Sequence, residues 1–443
     1  MVKNKDGKKI QGVHVVSYDL NGVLRGKRIP LNQVDKALAG GVRLPLSILG
    51  VDIWGKDVLS TAIADGDVDG LAEVTERGMV ATDWTNPPTA MLPVWLANED
   101  GSPYLGDSRR VLAEIVKRYE KVGIKPVMAT ELEFYLVDYK ENKPLRPPRC
   151  PKSGSRLNKT SVLSIDELHE FDAFLNDVYS ECEKLAIPAD AAIAENGCGQ
   201  FEINLLHTDN PLKAADDAVL FKQVVKGVAK KHGFTATFMA KPYGYQSGSG
   251  FHIHCSMVDA EGNNLFDDGS ERGSDLLRHA VAGLLATMND FMLVFAPHMN
   301  SYRRLAPGTH APTGIAWGYE NRTAAIRIPG GPSAARRIEH RVAGADANPY
   351  LVCAAMLGTV LYGIENKLEP QAPTEGCVYE DESVELLPTN WFTAIDAFAE
   401  SEIVPRIFPQ EMRDILISVK RQEAEHFTKQ ITNFELNTYI QDL

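Results

Sequence analysis

Four short segments of this sequence place charged or polar residues at every second position. Residues 130–137, 201–205, 251–257 and 337–342 alternate such residues with mostly apolar ones. Their polar members are Glu131, Glu133, Glu202, Asn204, His252, His254, Ser256, Arg337, Glu339 and Arg341. Alternation at period two predicts β-strands with one polar and one apolar face. One polar face usually means solvent exposure, but carboxylates, imidazoles and guanidinium groups that recur in apolar surroundings predict a shared cavity.

Such a cavity would bring many carboxylates together. The acids concerned, with one imidazole, are Glu131, Glu133, Glu195, Glu202, Glu339 and His252. Their mutual repulsion would be costly unless cations bind among them. Oxygen ligands with an occasional imidazole suit Mg²⁺ or Mn²⁺ better than zinc. Zinc is the alternative for the His-x-His motif, and it would require a third nitrogen or sulfur ligand.

Arginines form a second cluster. Six of them fall close together in an otherwise acidic protein, namely Arg304, Arg322, Arg327, Arg336, Arg337 and Arg341. Arginine side chains bind carboxylates and phosphates through paired hydrogen bonds. A regular strand would point Arg322 and Arg327 to opposite faces, so either a bulge intervenes or the two residues bind different partners. Surface arginines in a linker are the alternative, which the apolar residues of 321–329 disfavour.

The composition is that of an ordinary globular protein, and it excludes several classes of function. The chain has 443 residues, 44% of them hydrophobic, and a formal charge of −13 from 46 basic and 59 acidic residues. This acidic balance argues against binding to nucleic acid or to an anionic membrane, and no apolar run approaches the ~20 residues of a membrane span. The basic N-terminus lacks the apolar stretch of a signal peptide. Because the six cysteines lack CxxC spacing, a reducing, cytoplasmic location is expected.

The elements that must position these residues follow from periodicity and turn signals. Residues 13–30 are predicted to form a hairpin around Asn21-Gly22. A strand is expected at 128–138, and helical segments at 109–123, 165–186, 210–233, 348–366 and 390–440. Strands separated by helices after a β-rich start predict an α+β catalytic domain behind a smaller N-terminal one. The sequence contains no P-loop, dinucleotide-binding or serine-hydrolase motif.

Six segments together resemble the glutamine synthetase superfamily, over nearly the whole chain. They are ELEFYL (131–136), AENGCGQFEINL (194–205), KPYGYQSGSGFHIHCSM (241–257), NSYRRLAPG (300–308), NRTAAIRIP (321–329) and RRIEHRVAGADANPYL (336–351). The segments DLNGVLRGKRIP (19–30) and RVAGADANPYL (341–351) look most like the γ-glutamylputrescine synthetase branch, which ligates glutamate to polyamines.

This resemblance implies a fold and an assembly. The implied fold is α+β, with a small N-terminal β-grasp domain (residues 1–106) and a large catalytic domain (residues 107–443) built on a curved antiparallel sheet. The implied assembly is a homododecamer of two stacked six-membered rings. Its active sites would lie between subunits, and the N-terminal domain of a neighbour would close each one.

The resemblance also implies roles for single residues, with ATP and two or three Mg²⁺ or Mn²⁺ ions as cofactors. The ligands of the metal that holds the ATP phosphates would be Glu131, His252 and Glu339. Those of the metal beside the substrate glutamate would be Glu133, Glu195 and Glu202. The residues that contact glutamate itself would include Gly248 and Arg304. The phosphates, the transferring phosphoryl group or the substrate γ-carboxylate would bind Arg322, Arg327 and Arg341. Further nucleotide contacts would come from His254, Ser256 and Arg337.

Two departures from the superfamily pattern bear on the substrate. Members that use ammonia carry a flap acid after Pro-Gly, where this sequence has His310, and an N-terminal aspartate, with which Leu44 aligns best. Loss of both acids removes the cage for an ammonium ion, and an apolar residue favours the methylenes of a larger amine. The expected reaction is therefore ATP-dependent ligation of L-glutamate to a primary amine such as putrescine or a polyamine, through γ-glutamyl phosphate. An authentic glutamine synthetase is the alternative, and a non-catalytic structural relative is the third possibility.

An organic amine also needs a base. An alkylamine has a pKa near 10, so it must lose a proton before it attacks. His310 is one candidate for this catalytic role, and the equal alternative is that His310 only packs within the flap.

Overall fold

The computed structural model describes residues 9–58 and 66–443. Residues 1–8, most of the basic N-terminal stretch, lie outside the described residues. The strands within the described ranges are β1 (Val13–Tyr18), β2 (Leu24–Ile29), β3 (Arg43–Pro45), β4 (Asp69–Val74), β5 (Val80–Thr82), β6 (Thr89–Ala97), β7 (Lys125–Val137), β8 (Ala189–Ala194), β9 (Gln200–Thr208), β10 (Thr235–Thr237), β11 (Phe251–Val258), β12 (Trp317–Tyr319), β13 (Ile326–Ile328) and β14 (Ile338–His340). The α-helices there are α1 (Val34–Leu38), α2 (Ser108–Lys121), α3 (Ile165–Glu170), α4 (Asp172–Lys184), α5 (Pro211–Lys231), α6 (Asp275–Ala286), α7 (Met292–Phe295), α8 (Pro349–Glu365), α9 (Trp391–Glu400), α10 (Val404–Ile407), α11 (Gln410–Thr428) and α12 (Asn433–Tyr439).

The first sheet contains β1 to β6, in the order β2-β1-β6-β4-β3 with β5 paired to β6. The predicted hairpin is confirmed, because β1 and β2 pair antiparallel from Tyr18 opposite Leu24 outwards. Asp19 Oδ1 fixes the turn by accepting hydrogen bonds from the backbone N–H groups of Asn21 and Val23, both at 2.9 Å. Gly22 occupies the left-handed region with φ 69°, which glycine adopts readily.

Helix α2 follows the first sheet directly. Asp107 caps it by accepting from the backbone N–H of Arg109 at 2.9 Å, and its other carboxylate oxygen accepts from Leu96 N–H in β6 at 2.9 Å. The predicted helix in this region is confirmed. The boundary at residue 106 stays a prediction, and the two sheets of the protein fall on either side of it.

The second sheet contains β7 to β14, in the order β12-β13-β14-β11-β7-β9-β8 with β10 paired to β7. All its pairs are antiparallel except β12 with β13. The apolar face of β7 packs inwards: Phe134 is fully buried and its ring lies 6.0 Å from that of Phe201 and 6.3 Å from that of Phe221. Helices α2 and α5 contact the strands on this side, so the polar alternate residues face the other way.

Three predicted elements differ from the structure. The helix expected over 165–186 is broken at Phe171, whose buried ring packs 5.2 Å from the ring of Phe201. The segment expected over 390–440 is divided into α9 to α12. The strand-like stretch 321–329 is extended only from Ile326 onwards, because the Asn321 side chain accepts from Thr323 N–H at 3.0 Å and forms a turn.

Two general expectations can also be compared with the structure. All six cysteines are free, five of them buried and Cys377 exposed. Among the described residues, no helix combines the length and the apolar character needed to cross a membrane.

Candidate active site

Strand register places the polar residues in rows across the second sheet. Glu131 on β7 lies opposite His252 on β11 and Asn204 on β9. In the next row, Glu339 on β14 lies opposite His254 and Arg327. Directly opposed residues point to the same face of a sheet, so alternation within each strand and register between strands together build one polar surface.

Glu131 lies at the centre of this surface. Its Oε1 accepts from Asn204 Nδ2 at 3.0 Å and lies 2.8 Å from His254 Nε2, while its Oε2 lies 3.4 Å from His252 Nδ1. Burial by itself raises the pKa of this carboxyl, but the hydrogen bonds and charges of the two histidines outweigh burial and hold the pKa well below its ordinary value. Glu131 is therefore an ionised carboxylate at neutral pH.

Glu133 has backbone and amide donors in place of imidazoles. Its Oε2 accepts from Gln200 Nε2 at 2.9 Å and from Gly250 N–H at 3.0 Å. A side chain at Gly250 would collide with this site, because an added Cβ would lie 2.7 Å from His252 Nε2 and 2.9 Å from a terminal nitrogen of Arg304. Glycine at this position thus allows the close approach of three polar side chains, which a Cβ would push aside.

The acids beyond Glu133 repel one another. Glu202 lies opposite Glu133 in the sheet, and burial, followed by the charges of Glu133 and Glu131, raises its pKa to about 9. Burial and the charge of Glu133 likewise raise the pKa of Glu195 to about 7. This end of the cavity therefore holds protons that a bound cation would displace.

The opposite end of the cavity carries positive charge. Arg327 donates to Glu339 Oε2 at 2.7 Å, and Arg341 donates to the other oxygen of the same carboxylate. Burial raises the pKa of Glu339, but Arg341 and the two histidines outweigh burial and lower it to about 2. The Nε–H groups of Arg327 and Arg341 are buried and have no partner. Unpaired buried donors of this kind fit an anionic ligand.

Arg304 is buried behind this end. Its two terminal nitrogens donate to the backbone carbonyls of Val342 at 2.7 Å and Arg341 at 3.1 Å. Gly248 packs against its stem, since a Cβ added there would lie 2.6 Å from Arg304 Cγ. Gly248 thus has a packing role whether or not it contacts a substrate.

One cavity of about 650 Å³ gathers almost all of the predicted site residues. It is lined by Glu131, Glu133, Glu195, Glu202, Gly248, His252, His254, Arg304, His310, Arg322, Arg327, Arg337, Glu339 and Arg341. Arg322 and Arg327 face this cavity together because Arg322 lies in the turn before β13, so the bulge suggested by their spacing is not needed. Ser256 lies instead in an adjoining cavity of about 1220 Å³, which shares Glu131, Asn204, His254 and Arg337 with the first. Leu44 is buried in β3 and is not among the residues that line either cavity.

The donor set fits divalent cations. Two groups of three side chains hold ligand atoms within 4.8 Å of one another: Glu131, His254 and Glu339 in one, and Glu131, Glu202 and His252 in the other. Each combines two carboxylates with one imidazole, a set suited to Mg²⁺ or Mn²⁺. The structure thus adds His254, predicted as a nucleotide contact, to the candidate ligands, while the predicted ligand sets stay predictions.

His310 lies on an exposed segment at the cavity mouth. It has a left-handed backbone with φ 62°, and the next residue, Ala311, accepts a hydrogen bond from the Tyr379 hydroxyl at 3.0 Å. Tyr379 also lines the cavity. This contact ties the segment around His310 to the chain near residue 379.

Several cavity residues were missing from the sequence prediction. Gln200, which lies behind the cavity and donates to Glu133, continues the alternation of Glu202 and Asn204, so period two could have identified it. Tyr379 lines the cavity without any such signal. Val162 and Leu163, also lining residues, lie in a turn before α3, where side-chain direction cannot be read from periodicity.

Known proteins resemble this chain over almost its full length. A family model described as the glutamine synthetase catalytic domain matches residues 105–439. Gamma-glutamylputrescine synthetase PuuA of Escherichia coli (strain K12) is 39% identical over 98% of this chain and 92% of its own length. A glutamate–isopropylamine ligase of a Pseudomonas species is 32% identical over 97% of this chain and 95% of its own length. A solved GmaS/ADP complex superposes with a TM-score of 0.84 and 27% identity, and the match covers 98% of this chain and 97% of that one. On the fold, the site and these matches together, the chain belongs to the glutamine synthetase family.

Proposed function

We propose that this protein is an ATP-dependent ligase that joins the γ-carboxylate of L-glutamate to a primary amine, with γ-glutamyl phosphate as intermediate. The observation that carries the proposal is a single cavity in which a row of acids meets arginines with unpaired donors. Similarity to a gamma-glutamylputrescine synthetase and to a glutamate–isopropylamine ligase supports an organic amine as the second substrate.

The first half of the reaction is a phosphoryl transfer. An oxygen of the substrate γ-carboxylate attacks the γ-phosphorus of ATP, the bond to the β-phosphate oxygen breaks, and ADP leaves. Arg327 and Arg341 are oriented by Glu339, so their remaining donors can bind the charge that spreads over the transferring oxygens. We assign the adjoining cavity of about 1220 Å³, which His254, Ser256 and Arg337 line, to the nucleotide. Arg304 and Gly248 are assigned to glutamate.

Divalent cations would be held by the acids and imidazoles of this cavity. Bound Mg²⁺ or Mn²⁺ would neutralise phosphate oxygens and carboxylates that otherwise repel one another. Glu131, His252 and Glu339 are proposed for one ion, and Glu133, Glu195 and Glu202 for another.

The second half of the reaction forms the amide. The amine nitrogen, once deprotonated, attacks the carbonyl carbon of γ-glutamyl phosphate, the carbon–oxygen bond to phosphate breaks, and inorganic phosphate leaves. His310 at the cavity mouth is proposed as the base that takes the proton. His310→Ala should lower the amine-dependent kcat and alter its pH profile; an unchanged rate and an unchanged pH profile would assign His310 to packing alone.

An amine panel separates this proposal from its alternatives. Phosphate release is measured with glutamate, ATP and Mg²⁺, and putrescine, spermidine, ethanolamine and short monoamines are compared with ammonium at matched concentrations. Faster turnover with ammonium than with every organic amine would make the protein a glutamine synthetase. No phosphate release with any amine would favour a non-catalytic relative.

The family assembly is proposed for this chain as well. Apolar side chains near the C-terminus are highly exposed in the isolated protomer, including Ile431 at 74% and Phe434 at 80%. Contact with another subunit would cover them. We therefore propose a dodecamer of two stacked hexameric rings, which native mass spectrometry tests; a monomer at micromolar concentration would refute it.

A further inference from the structure

The acidic residues of the second sheet are followed, towards the edge of the sheet, by apolar residues. Glu133 lies opposite Glu202, and Glu202 lies opposite Ile193 on β8, the strand at the edge of the sheet. Beyond that edge, the backbone N–H of Leu163 donates to the carbonyl of Ala194 at 2.8 Å. The cavity wall therefore changes from carboxylate to aliphatic within the width of two strands.

The lip, defined here as Val162, Leu163 and Ile193, faces the cavity. Val162 is 57% exposed and Leu163 is 67% exposed, although both are aliphatic. Leu163 also has a left-handed backbone with φ 58°, which is uncommon for a branched side chain and marks a constrained position.

The turn that carries Leu163 is fixed on both sides. Ser164 caps α3 through a hydrogen bond from Glu167 N–H at 3.2 Å. The Glu167 side chain in turn accepts from Gly199 N–H at 3.1 Å. The exposed apolar side chains are thus held in place at the cavity mouth.

We infer that Val162 and Leu163 are specificity-determining residues that bind the methylenes next to the reacting nitrogen of an alkylamine. This inference rests on the proposed ligase activity and extends it to a substrate class, alkylamines of two or more carbons. A protonated alkylamine needs acids around its nitrogen and apolar surface along its chain, and the cavity offers both in that order. Ammonium and methylamine have no chain to reach the lip.

The expected effect is a dependence of rate on chain length. Each methylene that leaves water for the lip improves kcat/KM by about fourfold at most. The wild-type protein should therefore show kcat/KM rising from methylamine through ethylamine and propylamine to butylamine, with the gain mainly in KM for the amine.

The test compares the rise of kcat/KM with amine chain length in variants of the lip and in a matched control. Leu163→Asn keeps a residue that tolerates the left-handed backbone but removes the aliphatic surface, and Val162→Thr replaces a methyl group with a hydroxyl. Ile165→Asn is the control, because Ile165 is also aliphatic and 60% exposed but does not line the cavity. Leu163→Asn should lower the butylamine-to-methylamine ratio of kcat/KM by about fourfold to fifteenfold, the equivalent of one or two methylenes, and the control should keep the wild-type ratio.

Other outcomes would overturn the inference. Ratios within twofold of wild type in both lip variants, or an equal fall in the control, would refute a role for the lip. A change in assembly mass with an unchanged ratio would assign the lip to a subunit contact. If the wild-type protein released no phosphate with any amine, the proposed function would fail and this inference with it, whereas an active enzyme with an unaltered slope would overturn the inference alone.

Discussion

The affinity of this protein for a divalent cation is expected to rise steeply with pH, because Glu202 holds a proton in the metal-free fold. Burial and the charges of Glu133 and Glu131 raise the pKa of Glu202 from its ordinary 4.5 to about 9. A carboxylate must lose its proton to bind a cation. Metal binding between pH 6 and pH 8 should therefore release about one proton from this residue.

The magnitude follows from proton linkage. One proton released on binding changes the apparent affinity by about tenfold per pH unit, so Glu202 alone should make Mn²⁺ bind about 100-fold more tightly at pH 8 than at pH 6. Glu195, whose pKa is raised to about 7, adds a second proton below neutrality. The Mn²⁺ affinity should therefore rise more steeply with pH from pH 6 to 7 than from pH 7 to 8. Because the two acids interact, these protons belong to the cluster rather than to either residue.

Calorimetric titration with Mn²⁺ measures both the pH dependence of the affinity and the number of protons released on binding. Titrations at pH 6, 7 and 8 give the slope, and repeating them in buffers of different ionisation enthalpy counts the protons released. Glu202→Gln should bind more weakly and lose most of the slope above pH 7. Glu114→Gln is a suitable control, because Glu114 forms an exposed pair with Lys117 on α2. An affinity that changes by less than threefold between pH 6 and 8, without proton release, would refute the reasoning.

The same proton affects folding in the opposite direction. Between pH 4.5 and 9 the folded protein keeps a proton on Glu202 that the unfolded chain has lost. The contribution of Glu202 to the stability of the metal-free protein therefore falls as pH rises through that window. Glu339 behaves oppositely, since its pKa is lowered to about 2; its contribution is present above pH 4.5 and is lost as pH falls towards 2.

Three further substitutions have defined outcomes. Gly250→Ala should abolish most phosphate release while the fold is retained, because its Cβ would intrude among the site side chains. Gly244→Ala, whose Cβ meets nothing within 4 Å, should retain activity; equal activity in both variants would contradict this steric argument. Arg327→Lys keeps the charge but loses the unpaired Nε–H, so kcat in the same assay should fall by about 10²-fold or more; a wild-type kcat would refute its role. Glu423→Gln leaves the fully buried Lys420 without its ion partner at 2.9 Å, which should lower the free energy of unfolding in denaturant titrations by about 3–5 kcal/mol; a loss below about 1 kcal/mol would contradict this.

Strand periodicity predicted the polar surface well because every second residue must face the same side of a strand. Glu131, Glu202 and His252 could therefore be assigned to one face from the sequence alone. Their neighbours across the sheet depend on register, which a single sequence does not specify. The proximity of His254 to Glu131, and with it the candidate ligand group that includes Glu339, emerged only from the paired strands.

Turns limited the prediction elsewhere. Arg322 and Arg327 could not be placed together from their spacing, because the Asn321 side chain folds the chain into a turn before β13 begins. Leu163 gave no signal for the same reason: its orientation depends on a hydrogen bond to β8 and on the cap of α3. Site residues on strands are thus readable from sequence, whereas those on turns need the tertiary structure.

The different surroundings of Glu131 and Glu133 on β7 explain how one cavity can hold both anionic phosphate and a cationic amine. Glu131 and Glu133 are two residues apart, about 7 Å along a strand, yet they face different partners. Around Glu131 lie imidazoles and the arginines that hold Glu339, which include the groups proposed above to bind phosphate oxygens. Around Glu133, burial and crowded acids raise the pKa of Glu202, and a metal ion or an ammonium group would replace the protons that these acids hold. A carboxylate bound between these two ends would meet phosphate from one side and the amine from the other, the order that acyl phosphate chemistry requires.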